Sequence, residues 1–550
     1  MDTMMRRRIS PVRLAVAAFL STIFLFAGSA PAQTAAPMAS IENAEIGDML
    51  RRGRELELER RWGEAVAYYE DAVRRYPDDA GLRRRFDFTR LHYDVSRRYM
   101  DGSYRNLLSQ LSFQRALDLY NEVTLKLQAH YVEMPKWKEL VERGTNCLEV
   151  ALSESAFLET HAVAADAAKV ESFRRELRQV IGATLVQSRA DAAGAVTTAG
   201  QLAWQRIGLS PSAVVLEYTC GATNSLDPYT AYLTPDQLTE VYSQIEGNFV
   251  GLGVELKAQD GALLIVRVIP GSPAAKSGLA AGERITAVDD QPTAQHSTDQ
   301  AANLLQGEAG TAVTLTLLGV DNRSRRVAVR RQRVEVPSID NVKILEGTDQ
   351  VGYLRLTCFQ KTTPQDLDNA LWTLHRAGMK SLIMDLRGNP GGLLITAVEV
   401  ADRFIRGGVI VSTHGRNLQE DFTYSAHEAG TWRVPLVVLI DQDSASAAEI
   451  FAGAIRDHRA GIVVGTRSYG KGSVQGIFPL NCATAGVRLT TAKFYSPNGH
   501  PYAGVGVEPN VVVQRVARPL DDGTPNRLDA DDDPILTAGI RAVQQLLAQR

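Results

Sequence analysis

The chain has 550 residues, 45% hydrophobic and 22% charged, with a net charge of −3. That balance is ordinary for packed soluble domains, the length suggests three or four of them, and the near-neutral charge gives no electrostatic case for nucleic acid as a partner. The amino end differs. Arg6, Arg7, Arg8 and Arg13 accompany a largely apolar stretch of 14 residues, Leu14 to Ala27, and Ala30-Pro31-Ala32 fits a small-x-small cleavage site. The stretch is short for a bilayer-spanning helix, so residues 1–32 read as a signal peptide cut after Ala32, with an uncleaved anchor as the alternative. Export to a periplasm or cell envelope would place the four cysteines, Cys147, Cys220, Cys358 and Cys482, under oxidising conditions. Their wide spacing is no metal signature, and Cys358, in the apolar run VGYLRLTCF, reads as a small buried hydrophobe.

Residues 46–100 carry Gly53, Leu56, Ala65, Tyr69, Ala72 and Pro77 at spacings similar to the small and aromatic positions of a tetratricopeptide repeat. One repeat cannot bury its own faces, so this helical hairpin is expected to pack on the helices that follow or to receive a protein adaptor. Residues 104–245 read as mostly helical, with apolar spacings such as Leu117, Tyr120, Val123, Leu127 and Leu140, Val141, Leu148, Leu152. The Ala/Gly/Thr-rich stretch Ala190 to Gly200 reads as a loop or hinge. LDPYTAYL, Leu226 to Leu233, is by composition only a turn or helix start.

Residues 246–334 open on Phe249-Val250-Gly251-Leu252-Gly253-Val254-Glu255-Leu256 and continue through LLIVRVI, SPAAKSGLAAGERI and VTLTLLGV. This unit resembles a PDZ domain. Gly251, Leu252, Gly253 and Val254 would turn successive N–H groups towards one point, where a terminal carboxylate could be held while an extended peptide adds to the free strand edge beyond.

From residue 335 to 515 strands and helices alternate, which implies an α/β core. The strand VGYLRL, the helix Thr363 to Ala377 and the strand SLIMDLRG lead into Asp385-Leu386-Arg387-Gly388-Asn389-Pro390-Gly391-Gly392. A second apolar run, Val434 to Ile440, is followed by the turn Asp441-Gln442-Asp443 and a helix pattern from Ala447 to His458, so Ser446 falls on a strand-to-helix turn beside the free N–H groups of a helix start. The strand Ile462 to Val464 leads to the loop Gly465 to Gly470 and to Lys471, between two glycines. By alternation Lys471, Ser473 and Gln475 would share one face, leaving Gln475 able to align the lysine amine with Ser446. A lysine can act as a base only where burial disfavours its charge.

The segments SASAAEI and YGKGSVQ, with DLRGNPGG and LDPYTAYL, closely resemble those of the carboxy-terminal-processing proteases, the tail-specific serine peptidases. The resemblance runs from Leu226 to Val513. It implies a crotonase/Clp-like peptidase core with an inserted PDZ domain behind the α-helical amino-terminal region. It further implies Ser446 as nucleophile, Lys471 as general base and Gln475 as its orienting partner. Ala447 N–H with that of Gly391 or Gly392 would form the oxyanion hole. The family's L-D-P-H-S has Tyr229-Thr230 in place of His-Ser here, its F-G-K-G has Tyr469 in place of Phe, and Ala448 stands where many members have a third serine. Glu449 and Asp457 match polar positions beside the dyad and are expected to support structure.

The implied activity is endoproteolysis of exported polypeptides with free carboxy termini, without metal or other cofactor, with a homo-oligomer allowed. A non-catalytic adaptor for envelope proteolysis, built from the PDZ-like and repeat-like units, is the alternative. A Ser-His hydrolase using His458 and a ligand-binding member of the fold are further rivals. His414, His427 and His500 fit no metal pattern. The last residues, 516–550, read as an acidic tail and a docking helix from Ile535 to Leu547.

Overall fold

The computed structural model describes residues 36–163, 166–259, 262–295, 304–305, 307–513 and 533–548, so the expected signal segment and most of the acidic tail lie outside the described residues. The chain divides into two compact units, Met1–Arg90 and Leu91–Arg550. Among the described residues, no helix is long and apolar enough to cross a membrane.

In the first unit, helices Ala36–Leu58 and Trp62–Arg75 pack on each other. Gly53 meets the Tyr69 ring so closely that a β-carbon there would fall 2.2 Å from it. Tyr69, Ala72 and Leu82 form the small core with Met49 and Leu50.

The second unit begins with a helical region in which Phe113–His130, Trp137–Ala151 and Arg189–Ile207 pack around Pro211–Asn224, a helix buried from Ser212 to Thr223. Its fully buried Glu217 accepts hydrogen bonds from Arg98 at 2.6 Å and from Tyr99 at 2.9 Å. Both partners matter, since an unpaired carboxylate would be costly there. The expected loop Ala190 to Gly200 is instead the body of helix Arg189–Ile207. Alanine is the strongest helix former, Ser188 and Asp191 close a capping box, and Ala192, Ala195, Val196, Ala199 and Ala203 make one buried face. Of the two glycines in that stretch, Gly200 serves packing, since a β-carbon there would lie 3.2 Å from Pro211, whereas Gly194 faces open space.

The α/β core is built on a six-stranded sheet with spatial order Ile339–Ile344, Val351–Leu356, Ser381–Asp385, Leu436–Ile440, Ile462–Gly465, Val511–Val512. The first pair is antiparallel and the rest parallel. Both faces are covered, which is why its strands are almost continuously apolar. Leu382, Met384, Val438 and Ile440 face helices Thr363–Arg376, Leu394–Asp402 and Ala447–Asp457. Ile383, Val437 and Leu439 face the carboxy-terminal helix Pro534–Ala548, through Ile535, Ala542 and Val543. The docking expected of that helix is therefore present.

A second sheet carries the LDPYTAYL segment into the core. Its strand Ala231–Leu233 pairs antiparallel with Gly486–Tyr495, which also pairs with Ser473–Pro479 and Gly408–Gly415. The PDZ-like unit is inserted through a two-stranded neck, Asn248–Gly251 against Gln332–Glu335. Its own sheet runs Val254–Gln259, Ala262–Val268, Arg284–Val288, Ala312–Leu318, Ser324–Arg330, closed over Leu252, Ile265, Ile285 and Leu315. Cys147 and Cys220 are buried, Cys482 is exposed, and all four cysteines are free. Cys358 is only half-buried, with Sγ 3.3 Å from Gln360 Oε1, because the strand ends at Leu356, two residues earlier.

Candidate active site

Two loops leave the carboxyl ends of neighbouring parallel strands, where open α/β sheets place their ligand sites. One follows Ser381–Asp385 and holds Gly388 to Gly392; the other follows Leu436–Ile440 and ends at Ser446. They are stitched together: Gly388 N–H donates to Asp441 Oδ1 at 2.9 Å, Ala445 N–H to Asn389 O at 2.9 Å, and Ser444 Oγ to Leu386 O at 2.8 Å. Ser446 itself has φ 57° and ψ −115°, a conformation that non-glycine residues rarely adopt and that persists only where the surroundings enforce it. It caps helix Ala447–Asp457, so the helix's first N–H groups lie beside its side chain.

Gly391 packs directly under the serine. A β-carbon there would lie 2.7 Å from Ser446 Cβ and 2.9 Å from Ala447 N. Its N–H already donates to Asn389 Oδ1 at 2.8 Å. Gly392 is held by its neighbours, Phe359 N–H donating to Gly391 O at 2.8 Å and Leu393 N–H to Phe359 O at 2.7 Å, which leaves its own N–H outside that ladder.

Glu449, fully buried on the first turn of the helix, gathers both halves of the site. Its Oε2 accepts from Ser446 N–H and Lys471 N–H, each at 2.8 Å; its Oε1 accepts from Ser468 Oγ at 2.5 Å and Gly470 N–H at 2.7 Å. Burial nevertheless pushes its pKa above the usual carboxylate value, outweighing these donors. Asp457 forms an ion pair with Arg456 at the far end of the same helix.

Lys471 is largely desolvated, which lowers its pKa to about 8. Arg488 adds to the lowering, while Glu449 and Asp227 oppose it. Its Nζ lies 4.7 Å from the centroid of the Tyr229 ring and makes no hydrogen bond to Ser446 Oγ among the described residues. Gln475 does not reach the lysine either: its amide donates to Ser473 O at 3.1 Å and Ser473 Oγ at 2.9 Å. The Ser473 and Gln475 side chains do meet, but alternation does not extend back to Lys471. The strand starts only at Ser473, and a bulge between Val474 and Gln475 interrupts the alternation. His458 donates through Nε2 to Val409 O at 2.7 Å. It caps the end of the helix opposite Ser446, about 18 Å away at 1.5 Å per residue, which disfavours it as a base for that serine.

In the PDZ-like unit Gly251 ends the neck, Leu252 is buried, and Val254 opens a strand at the edge of its sheet. Leu252 O and Gly253 O accept from Ala274 N–H at 2.8 Å and Ile269 N–H at 2.9 Å, pinning the loop from behind. In the sequence Tyr229, Tyr469 and Glu449 are isolated positions, and no spacing joins them to Lys471. Their departure from, or match to, the family motifs was the available signal.

Residues 350–513 match the model for peptidase family S41, and residues 264–319 match that for a PDZ domain. The carboxy-terminal-processing protease of Bartonella bacilliformis is 37% identical over 302 residues, spanning 54% of this chain and 68% of that protein. Carboxyl-terminal-processing peptidase 3, chloroplastic, of Arabidopsis thaliana is 33% identical over 298 residues, spanning 52% of this chain and 57% of that protein. Among solved structures, the photosystem II D1 C-terminal processing protease shares 26% identity with a TM-score of 0.38, over 72% of this chain and 93% of that one. A serine-type peptidase core carrying a PDZ domain is the class so defined, and the chain belongs to the carboxy-terminal-processing proteases of family S41.

Proposed function

We propose that the protein is an exported endopeptidase that cleaves polypeptides near their carboxy termini with a Ser446-Lys471 dyad, and that its PDZ domain receives the substrate tail. The observation that carries the dyad is the shared carboxylate: Glu449 Oε2 accepts from the backbone N–H groups of Ser446 and Lys471 at 2.8 Å each, holding the main chain of both residues on one support. The lysine's pKa of about 8 supports the reading, because a substantial fraction of the amine is neutral near pH 7–8.

In this reading Lys471 rotates from the Tyr229 ring towards Ser446, takes the Oγ proton, and Oγ bonds to the scissile carbonyl carbon. The oxyanion is received by the N–H groups of Ala447 and Gly392, since that of Gly391 is committed to Asn389. The ammonium of Lys471 returns the proton to the departing amine as the C–N bond breaks, and water releases the acyl-enzyme. Gln475 orients the amine through its Oε1 once the lysine has turned. The edge strand Val254–Gln259 offers an incoming tail a strand to pair with, and the N–H groups around Gly251 to Val254 offer its carboxylate a seat.

The test is cleavage of a free-acid peptide. Ser446→Ala and Lys471→Ala should each abolish it in a folded protein, and the double variant should be no worse than either, because both groups act in one covalent step. Retained processing in cells carrying Ser446→Ala would favour the adaptor reading, with the amino-terminal hairpin as the adaptor contact. Recovery of the protein from the cytosol alone would remove export.

A further inference from the structure

Two residues that depart from the family motifs, Tyr229 and Tyr469, meet at the lysine although they are far apart in sequence. The Tyr229 and Tyr469 side chains share a hydrogen bond, and the face of the Tyr229 ring receives the Lys471 amine, Nζ to centroid 4.7 Å. The main chain that carries the ring is pinned. Tyr229 N–H donates to Asp227 Oδ1 at 2.7 Å, Arg488 Nε donates to Tyr229 O at 2.8 Å, and the strand Ala231–Leu233 follows immediately, paired with Gly486–Tyr495. The charged groups facing the amine are Arg488 on that strand, Glu449 on the helix after Ser446, and Asp227 in the turn before Tyr229. An ammonium gains from the negative face of an aromatic ring, more so when desolvated, and a neutral amine gains much less.

We propose that Tyr229, braced by Tyr469, is a holding site for the protonated Lys471 side chain, which the amine leaves in order to reach Ser446. Tyr229 is a positioning residue: it acts through the lysine and not on substrate. The proposal rests on Lys471 being the base, but the holding contact can be read without catalysis.

The test compares Tyr229→Phe, which keeps the aromatic face, with Tyr229→Leu, which removes it at similar apolar volume. Lysine labelled with carbon-13 at Cε is titrated by NMR in a Ser446→Ala background, with Lys471→Met identifying the resonance. The Leu variant should titrate about 0.5–1.5 pH units below the Phe variant, the range that a cation–π contact can supply. Tyr229→Met, a second non-aromatic replacement, should match Leu and stands in for it if Leu does not fold. Coincident midpoints for Phe and the non-aromatic variants overturn the holding site. In the Ser446-containing enzyme the midpoint of cleavage against pH should fall by the same amount. If the NMR midpoint moves and the cleavage profile does not, the holding site stands and the assignment of Lys471 as base fails.

Discussion

Arg387 Nη1 donates to both carboxylate oxygens of Asp533 at 2.8 Å. Arg387 lies in the loop that carries Gly391 and Gly392, and it also grips Asp385, its Nη2 2.6 Å from Oδ2. Asp533 in turn accepts from Leu536 N–H at 3.0 Å, capping the carboxy-terminal helix that covers one face of the sheet. The end of the chain thereby braces the glycine loop of the candidate site.

Asp533→Ala should lower stability by about 2 kcal/mol, combining a lost helix cap with a lost charged hydrogen bond. Asp533→Asn keeps a cap and should cost less. Chemical denaturation compares the two. A fall in cleavage rate at temperatures where Asp533→Ala is fully folded would show that the brace also positions the glycine loop; an unchanged rate would limit it to stability.

The cleavage rate should rise with pH through about 8 and then level off, because only neutral Lys471 accepts a proton. The same shift bears on stability. The folded pKa lies below the ordinary lysine value, so the unfolded chain binds more protons between about 8 and 10.5. Lys471→Met should therefore gain most over the parent below pH 8, and the gain should shrink as pH rises towards 10.5. Denaturation at several pH values measures this, and a gain that grew with pH would contradict the buried-amine assignment.

Glu449→Gln replaces one acceptor oxygen by a donor facing groups that themselves donate. Placed with its nitrogen towards Ser468, whose hydroxyl can turn to accept, it still loses the bond from Gly470 N–H. Displacement of Ser446 relative to Lys471 by about an ångström should reduce the cleavage rate roughly 100-fold. Circular dichroism should show the fold retained, with a lower thermal midpoint.

Gly391→Ala should inactivate without unfolding. Its φ of 101° is unfavourable for alanine. The added methyl would also sit 2.7 Å from Ser446 Cβ and from Ala445 O. The loss in turnover should be at least the 100-fold to 1,000-fold typical of a damaged oxyanion site. Turnover near the parent's would remove this loop from the site.

For the PDZ domain, a free-acid peptide should be cleaved faster than its carboxy-terminal amide, and both faster than the same sequence within a closed loop. A hydrogen bond to a charged group contributes about 1.5–3 kcal/mol, so amidation should cost roughly tenfold or more at limiting substrate. Equal rates for all three substrates would show that Gly251 to Val254 do not read the terminus.

Much of this was legible in the chain because it depends on neighbours in sequence. The runs SLIMD and LVVLI announce strands buried on both faces, Ser446 before an apolar helical pattern announces a strand-to-helix turn, and two glycines around Lys471 announce close backbone packing. Composition misled at Ala190 to Gly200, where alanine's helix preference and a capping box outweigh the glycines. Alternation joins Gln475 to Ser473 but does not reach Lys471, which precedes the strand, and the bulge beside Gln475 is set by pairing with the strand Gly486–Tyr495 and not by local pattern. The remaining relationships join segments that only folding brings together. Glu449 holds Ser446 and Lys471, Tyr229 lies beneath the lysine amine, and Asp533 reaches Arg387. Each is a contact between a charge and a dipole, a ring or an opposite charge, effective over a few ångströms, and spacing along a sequence carries no distance in space.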